Sequence, residues 1–265
     1  VDDGTVAADA TYRFLIDAIQ VAGGPAYAVR QIDPVNNADG GRPGGNIRVG
    51  FLYRPDRVTA VDAQGSDGAP RFVAGDGGVR LRPSPGRLLD PAFDRDEDRG
   101  RSGTRKPLVA QFRFHDRDLF VVNLHFRSKG GDDSPFGARQ PPQRRSEVQR
   151  TEQAEAVADL VDSLLAVDPD AWVVVLGDLN EHRGRPPLDV LEERLVNLVA
   201  QVPPEERYTY VYRGQGQILD HVLVSPSVAR SAAPEIDIVH VAADYADAHR
   251  ASDHDPLVVR LRFAP

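Results

Sequence analysis

Val173-Val-Val-Leu-Gly-Asp-Leu-Asn-Glu-His182, or VVVLGDLNEH, runs four apolar residues into a glycine and then sets an aspartate and an asparagine two apart. An apolar run of this length, bounded by glycine, reads as a buried strand. In extended geometry Asp178 and Asn180 would point to one side, with Leu179 returning to the core. The strand would then end by presenting a carboxylate and an amide at a cleft.

The elements around it give the class. Phe14, Leu15, Ala18 and Ile19 repeat at helical spacing before Gly23-Gly24. AYAVRQI (26–32) and NIRVGFLYR (46–54) read as strands, and 62–104 as Gly-, Pro- and Arg-rich excursions around one short strand. PLVAQFRF (107–114) and DLFVVNLHF (118–126) flank HDRD as a hairpin. A long polar loop leads to a helix from Ser146 to about Ala166, then the strand 171–177 and a short helix, PPLDVLEE (186–193). RYTYVYR, QILDHVLVS, EIDIVHV and DPLVVRLRF complete the strands. Many strands with few helices predict an α+β layered domain, and no repeat or interdomain linker is evident over residues 1–265.

Composition narrows the function. No run of about 18 apolar residues occurs, so no membrane span is expected. With no cysteine among the 265 residues, thiolate metal sites and disulfides are excluded. The net charge is −8, but Arg99–Arg150 holds 12 basic and 5 acidic residues, a net of +7. A basic stretch in an acidic chain is either a solvated loop or a surface for an anionic ligand.

Several polar groups fall where strands end. Asp178 and Asn180 follow one strand, His125 ends another, and Asp253 and His254 precede the last. Asp220, between Leu219 and Val222 in an apolar strand, must be paired or face a cleft. Each alone is commonly a turn, cap or surface residue. Together they suit hydrolysis of a phosphodiester, which needs a positioned water, a hard cation on oxygen ligands and a histidine held by a carboxylate.

The blocks NLH, GDLN, LDH and SDHDP, in this order, resemble the endonuclease/exonuclease/phosphatase superfamily, the deoxyribonuclease I-like hydrolases. NIRVGFLYRPDRV, HFRSKGGDD and RTEQA look most like its bacterial extracellular nucleases, and the histidine of NLH looks like the deoxyribonuclease version rather than the apurinic type. The resemblance implies a four-layer α/β/β/α sandwich of two packed mixed sheets. It implies a divalent-metal-dependent phosphodiesterase acting on DNA or RNA, secreted and monomeric, with Mg²⁺, Mn²⁺ or Ca²⁺. On it, Asp178 orients or deprotonates water, Asn180 donates to phosphate and Asp253 binds the metal. His254, oriented by Asp220, contacts the scissile phosphate, and His125 contacts it as acid or electrostatic stabiliser. Asn46, Arg105, Arg127, Lys129 and Arg150 or Gln153 are implied substrate contacts; His240 and Asp244 read as structural, and Glu181 and His182 take no part. Relatives also cleave inositol phosphates and sphingomyelin, which would call for exposed loop aromatics, here Phe93 and Phe136. The family opens with a strand bearing Asn and another ending in a metal-binding Gln-Glu, which this sequence does not show before residue 10. The expectation is an N-terminally truncated domain, in which Asp2 or Asp3 would be the nearest substitute carboxylate or the fold would serve only for binding.

Overall fold

The computed structural model describes residues 6–42, 45–64, 69–75, 78–95, 103–134 and 136–263; Asp2 and Asp3 lie outside them. The chain forms two compact units, residues 1–125 with 166–169, and residues 126–165 with 170–265.

In the first unit, helix α1 (Asp9–Val21) ends at Ala22, and Gly23 takes the positive φ that closes such an end. Its helical spacing is as expected, but its apolar residues are not covered: Phe14, Leu15 and Val21 are exposed. β1 (Ala28–Arg30) and β4 (Phe51–Tyr53) pair antiparallel, and β2 (Gly41–Arg42) pairs with β3 (Gly45–Asn46) between them. β5 (Thr59–Val61) and β8 (Gly86–Arg87) both pair with β9 (Leu108–Phe114), which pairs with β10 (Arg117–His125) in the expected hairpin. His115 turns that hairpin at φ 52°.

The excursion 62–104 is more ordered than one short strand. β6 (Arg71–Gly75) and β7 (Gly78–Arg82) form a full hairpin ahead of β8. Val79 and Leu81 alternate with Arg80 and Arg82, so one face is buried and the other carries charge. Gln111 locks this layer by accepting from Leu81 N–H at 3.0 Å and donating its own N–H to Ser84 Oγ at 3.1 Å. Phe72 meets Phe120 edge-on at 5.3 Å.

In the second unit, α2 (Arg145–Val167) buries Ala154, Val157, Leu160, Val161 and Leu164, the stripe its spacing predicts. Asp132 caps it, taking the Ser146 N–H at 2.8 Å. β11 (Trp172–Asp178) is the central strand, with Val173, Val174 and Val175 buried. α3 (Pro186–Glu192) and β12 (Val196–Asn197) follow, then the hairpin of β13 (Tyr210–Tyr212) and β14 (Gln215–Gln217). β15 (Asp220–Val224) pairs antiparallel with both β11 and β12. α4 (Pro226–Ser231) is a short helix that the strand-dominated pattern did not reveal. β16 (Glu235–Ile238) pairs with β17 (Leu257–Arg260). Val199, Val202, Ile218 and Ile238 form a core under this end.

Candidate active site

The β11–β15 register aligns Asp178 with Asp220 as direct cross-strand partners. Like charges in that position repel. The pair persists because each carboxylate is answered by its own donors.

Asp178 is answered from its own chain. Gly177 takes φ 134° and Asn180 φ 51°, so the backbone leaves the strand sharply after Asp178. Asparagine tolerates the left-handed region better than most side chains. The turn brings Asn180 N–H to Asp178 Oδ1 at 2.8 Å and the Asn180 amide to Oδ2 at 3.0 Å. The same amide donates to the Phe126 carbonyl at 3.2 Å. Asp178 and Asn180 thus converge, but through a left-handed turn and not through the extended alternation the sequence suggests. Both amide hydrogens of Asn180 are spent on Asp178 and Phe126, and its side chain orients the carboxylate.

Asp220 is answered from elsewhere in the fold. Its Oδ2 accepts from Thr209 Oγ at 2.7 Å and from His254 Nδ1 at 2.6 Å. The expectation that a carboxylate in this apolar strand must be paired is met. Burial lowers the His254 pKa, but the Asp220 hydrogen bond and charge, with Asp178 and Asp253, outweigh it and raise the ring to about 8. Nδ1 lies on Asp220, so Nε2 carries the other N–H on the opposite side of the ring. Tyr210 stands against the imidazole at 4.9 Å between centroids. Thr209 and Tyr210 were legible only as strand residues of RYTYVYR; nothing in their spacing announced a contact with Asp220 or His254.

Asp178, Asp220 and His254 each offer an atom within 4.8 Å of the others. The Asp220–His254 hydrogen bond makes two of these a histidine–carboxylate pair. Opposed carboxylates, with the exposed Asp253 next to His254 in the chain, offer oxygen donors that suit a hard divalent cation in kind.

The expected basic contacts are largely internal. Arg150 is 1% exposed and gives its guanidinium to Glu181 at 2.7 Å, Ser146 Oγ at 2.8 Å and the Arg127 carbonyl at 3.3 Å. Arg127 is buried and bonds Gln149, while Gln153 accepts the Arg127 N–H at 3.0 Å. Lys129 is partly exposed beside Glu181 and His182. A buried Glu181 neutralising Arg150 is a function the sequence did not reveal. His221 supports it: fully buried, its Nε2 lies 2.9 Å from the Glu181 carbonyl and its Nδ1 3.1 Å from the Asn197 amide. Burial pushes its pKa down to about 4. His240 pairs with the buried Asp255 at 2.9 Å, and Asp244 accepts from Tyr208 at 2.8 Å; both bonds are within the fold.

Three expected contacts belong to the first unit. His125 ends β10. Asn46 bonds Asn36 at 3.0 Å and accepts from Asn37 N–H at 2.9 Å. Arg105 lines a cavity with Arg48, Arg87, Lys106 and Asp39.

Comparison with known proteins gives the family and the fold. Residues 94–247 match the model of the Endonuclease/Exonuclease/phosphatase family. Among solved structures, TDP2 of D. rerio complexed with single strand DNA product aligns with a TM-score of 0.52 and 17% identity, over 94% of this chain and 80% of that one. The endonuclease/exonuclease/phosphatase from Bacteroides vulgatus aligns with 0.55 and 14%, over 96% and 81%. Truncated TDP2 of Caenorhabditis elegans gives 0.53 and 14%, over 94% and 79%. No curated protein sequence matches. The structural likenesses establish the α+β, deoxyribonuclease I-like fold. The family match spans more than half of the residues and includes Asp178, Asn180 and Asp220, and on that ground the chain belongs to the endonuclease/exonuclease/phosphatase family, whose members hydrolyse phosphoester bonds.

Proposed function

We propose that this protein is a divalent-metal-dependent phosphodiesterase that cleaves DNA or RNA. The observation that carries the reading is the His254–Asp220 pair at 2.6 Å, set across the strand ladder from an Asp178 oriented by Asn180. Asp178 accepts a proton from water as the water oxygen attacks phosphorus and the opposite P–O ester bond breaks, the leaving oxygen taking its proton from solvent. His254, charged up to about pH 8, donates from Nε2 to a phosphoryl oxygen and holds the charge that develops there. Asp220 and Thr209 fix its tautomer. Asn180 keeps Asp178 aimed, so its role shifts from phosphate donor to positioning residue. Asp253 and Asp178 would hold the cation, Mg²⁺ or Mn²⁺, which when bound neutralises phosphoryl charge.

Within 99–150 the partly exposed Lys129, and not the buried Arg127 and Arg150, supports a polyanionic substrate, since phosphate contacts are mainly electrostatic. The proposal extends to His125, Asn46 and Arg105 as substrate contacts of the first unit, which alanine variants test through kcat and KM. A lipid phosphoester draws less support: of the two loop aromatics expected for it, Phe93 is fully buried and Phe136 is 97% exposed.

Plasmid relaxation and hydrolysis of a labelled oligonucleotide, with and without Mg²⁺, test the proposal. Asp178→Asn and His254→Gln should each lose at least about 100-fold, within the range of one positioned base or electrostatic group. Cleavage that persists in folded Asp178→Asn would overturn the assignment. Turnover of phosphomonoesters but no diester would overturn the substrate class.

A further inference from the structure

Lys129, Glu181 and His182 form a charged cluster that the proposed chemistry at Asp178 and His254 leaves unused. The Lys129 ammonium lies 2.8 Å from Nε2 of His182 and 3.4 Å from Oε1 of Glu181. An ammonium carries donors only, so Nε2 of His182 accepts from Lys129 and the neutral ring carries its N–H on Nδ1. Burial, and then the ammonium beside it, hold His182 below the usual histidine range, so the ring is neutral near pH 7. Glu181 is itself fixed by Arg150 at 2.7 Å and by the His182 backbone N–H at 3.1 Å.

A lysine is ordinarily a mobile point charge with rotamer entropy to lose on binding. Lys129 has already lost much of that freedom. Two of its three N–H directions are taken, it has no third acceptor among the described residues, and 32% of its side chain faces solvent. A second carboxylate in place of His182 would hold the ammonium equally well but cancel its charge. A neutral imidazole orients it and leaves the charge for a ligand. Glu181 and His182 directly follow Asn180 in the chain. Lys129 is held by Glu181 and His182, whereas the Asp178–His254 centre is held by Asn180, Asp220 and Thr209.

We propose that His182 is a positioning residue that holds Lys129 as a preset arm for a phosphate flanking the scissile one, which makes the preferred substrate a polynucleotide. This rests on the phosphodiesterase reading. A small diester has no second phosphate for the arm to take. Neither Glu181 nor His182 was assigned any part from the sequence.

The test measures binding apart from turnover. Fluorescence anisotropy with a labelled single-stranded 12-mer, in EDTA and over a range of salt, reports the number of phosphates engaged. Lys129→Met should lower the slope of log K against log salt by about 0.7, the loss of one single-strand phosphate contact. His182→Phe, which fills the space but accepts no hydrogen bond, should weaken binding about three- to tenfold. His182→Gln, whose side-chain carbonyl can accept from Lys129, should restore most of it, with melting temperatures of the two variants recorded alongside. In Mg²⁺, the His182→Phe defect should fall on KM for the oligonucleotide, about three- to tenfold, with KM for bis(4-nitrophenyl) phosphate unchanged. An unchanged salt slope in Lys129→Met, or equal binding by the Phe and Gln variants, would overturn the arm. If the slope is unchanged while Asp178→Asn abolishes cleavage, the arm is wrong and the phosphodiesterase reading stands. If the slope falls but the wild-type protein cleaves no diester, the arm stands as a binding site and the catalytic reading fails.

Discussion

Asp220→Asn isolates the pair at the centre of the site. The substitution keeps the shape and the Thr209 hydrogen bond but removes the charge facing His254 Nδ1. His254 is held at about 8 against an ordinary 6.5. That preference for the imidazolium corresponds to about 2 kcal/mol, at 1.36 kcal/mol per tenfold in proton affinity. Because the folded pKa lies above the unfolded one, the stabilisation is fully present below pH 6.5 and is lost as pH rises through 8. It should stand near about 2 kcal/mol at pH 5, about 1 at pH 7 and close to zero by pH 9. In Asp220→Asn burial is no longer opposed by that carboxylate, so the ring should titrate well below its wild-type value. Urea unfolding of both proteins from pH 5 to 9 should give curves that converge at high pH, and the His254 Hε1 resonance should report the titration directly. Hydrolysis should also decline above pH 8 in the wild type as Nε2 loses its charge. A stability difference independent of pH, or an Asp220→Asn ring that still titrates near 8, would refute the role given to this carboxylate.

Four further outcomes follow from named contacts. Asn180 at φ 51° should tolerate glycine better than alanine by about 1 kcal/mol in urea melts, since the left-handed region penalises Cβ; equal melts would show the backbone relaxing there. Arg150→Met strands a buried Glu181 and should cost about 3 kcal/mol, most of it recovered in the double variant with Glu181→Gln; an unrescued double variant would mean Arg150 acts through packing alone. His221, held near 4 and neutral in the fold, withdraws about 3 kcal/mol of stability as pH falls from 6.5 to 4, and His221→Asn should flatten that acid limb. Asp253→Asn should raise the Mg²⁺ concentration for half-maximal activity at least about tenfold, and an unchanged Mg²⁺ dependence would remove Asp253 from the ligand set.

The element types read from periodicity mostly stand: α1, α2, α3, the β9–β10 hairpin and β11 fall where their patterns place them. The stretch 62–104 did not read correctly, because β6 buries none of its residues and β7 only Val79 and Leu81, so the hairpin carries little apolar period. α4 is only six residues and carries too short a period to register. At the site, Asp220 was legible as a carboxylate needing a partner, but its partners were not. Thr209 and His254 approach it from 11 and 34 residues away, and such separations leave no local signal.

By itself the sequence determined the α+β class, the family and the carboxylates and histidines available for phosphoester chemistry, because these follow from local period and from motif order. Only the tertiary structure decided what each group is bonded to. It opposed Asp178 to Asp220 across a strand ladder, turned Asn180 inward through a left-handed residue, and buried Arg150 on Glu181. In VVVLGDLNEH it also separated two kinds of residue that look alike in a row of polar letters. Asp178 and Asn180 organise each other, while Glu181 and His182 organise a lysine from another segment. The reason is physical: hydrogen bonds and charge pairing act at about 3 Å through space, whatever the distance along the chain.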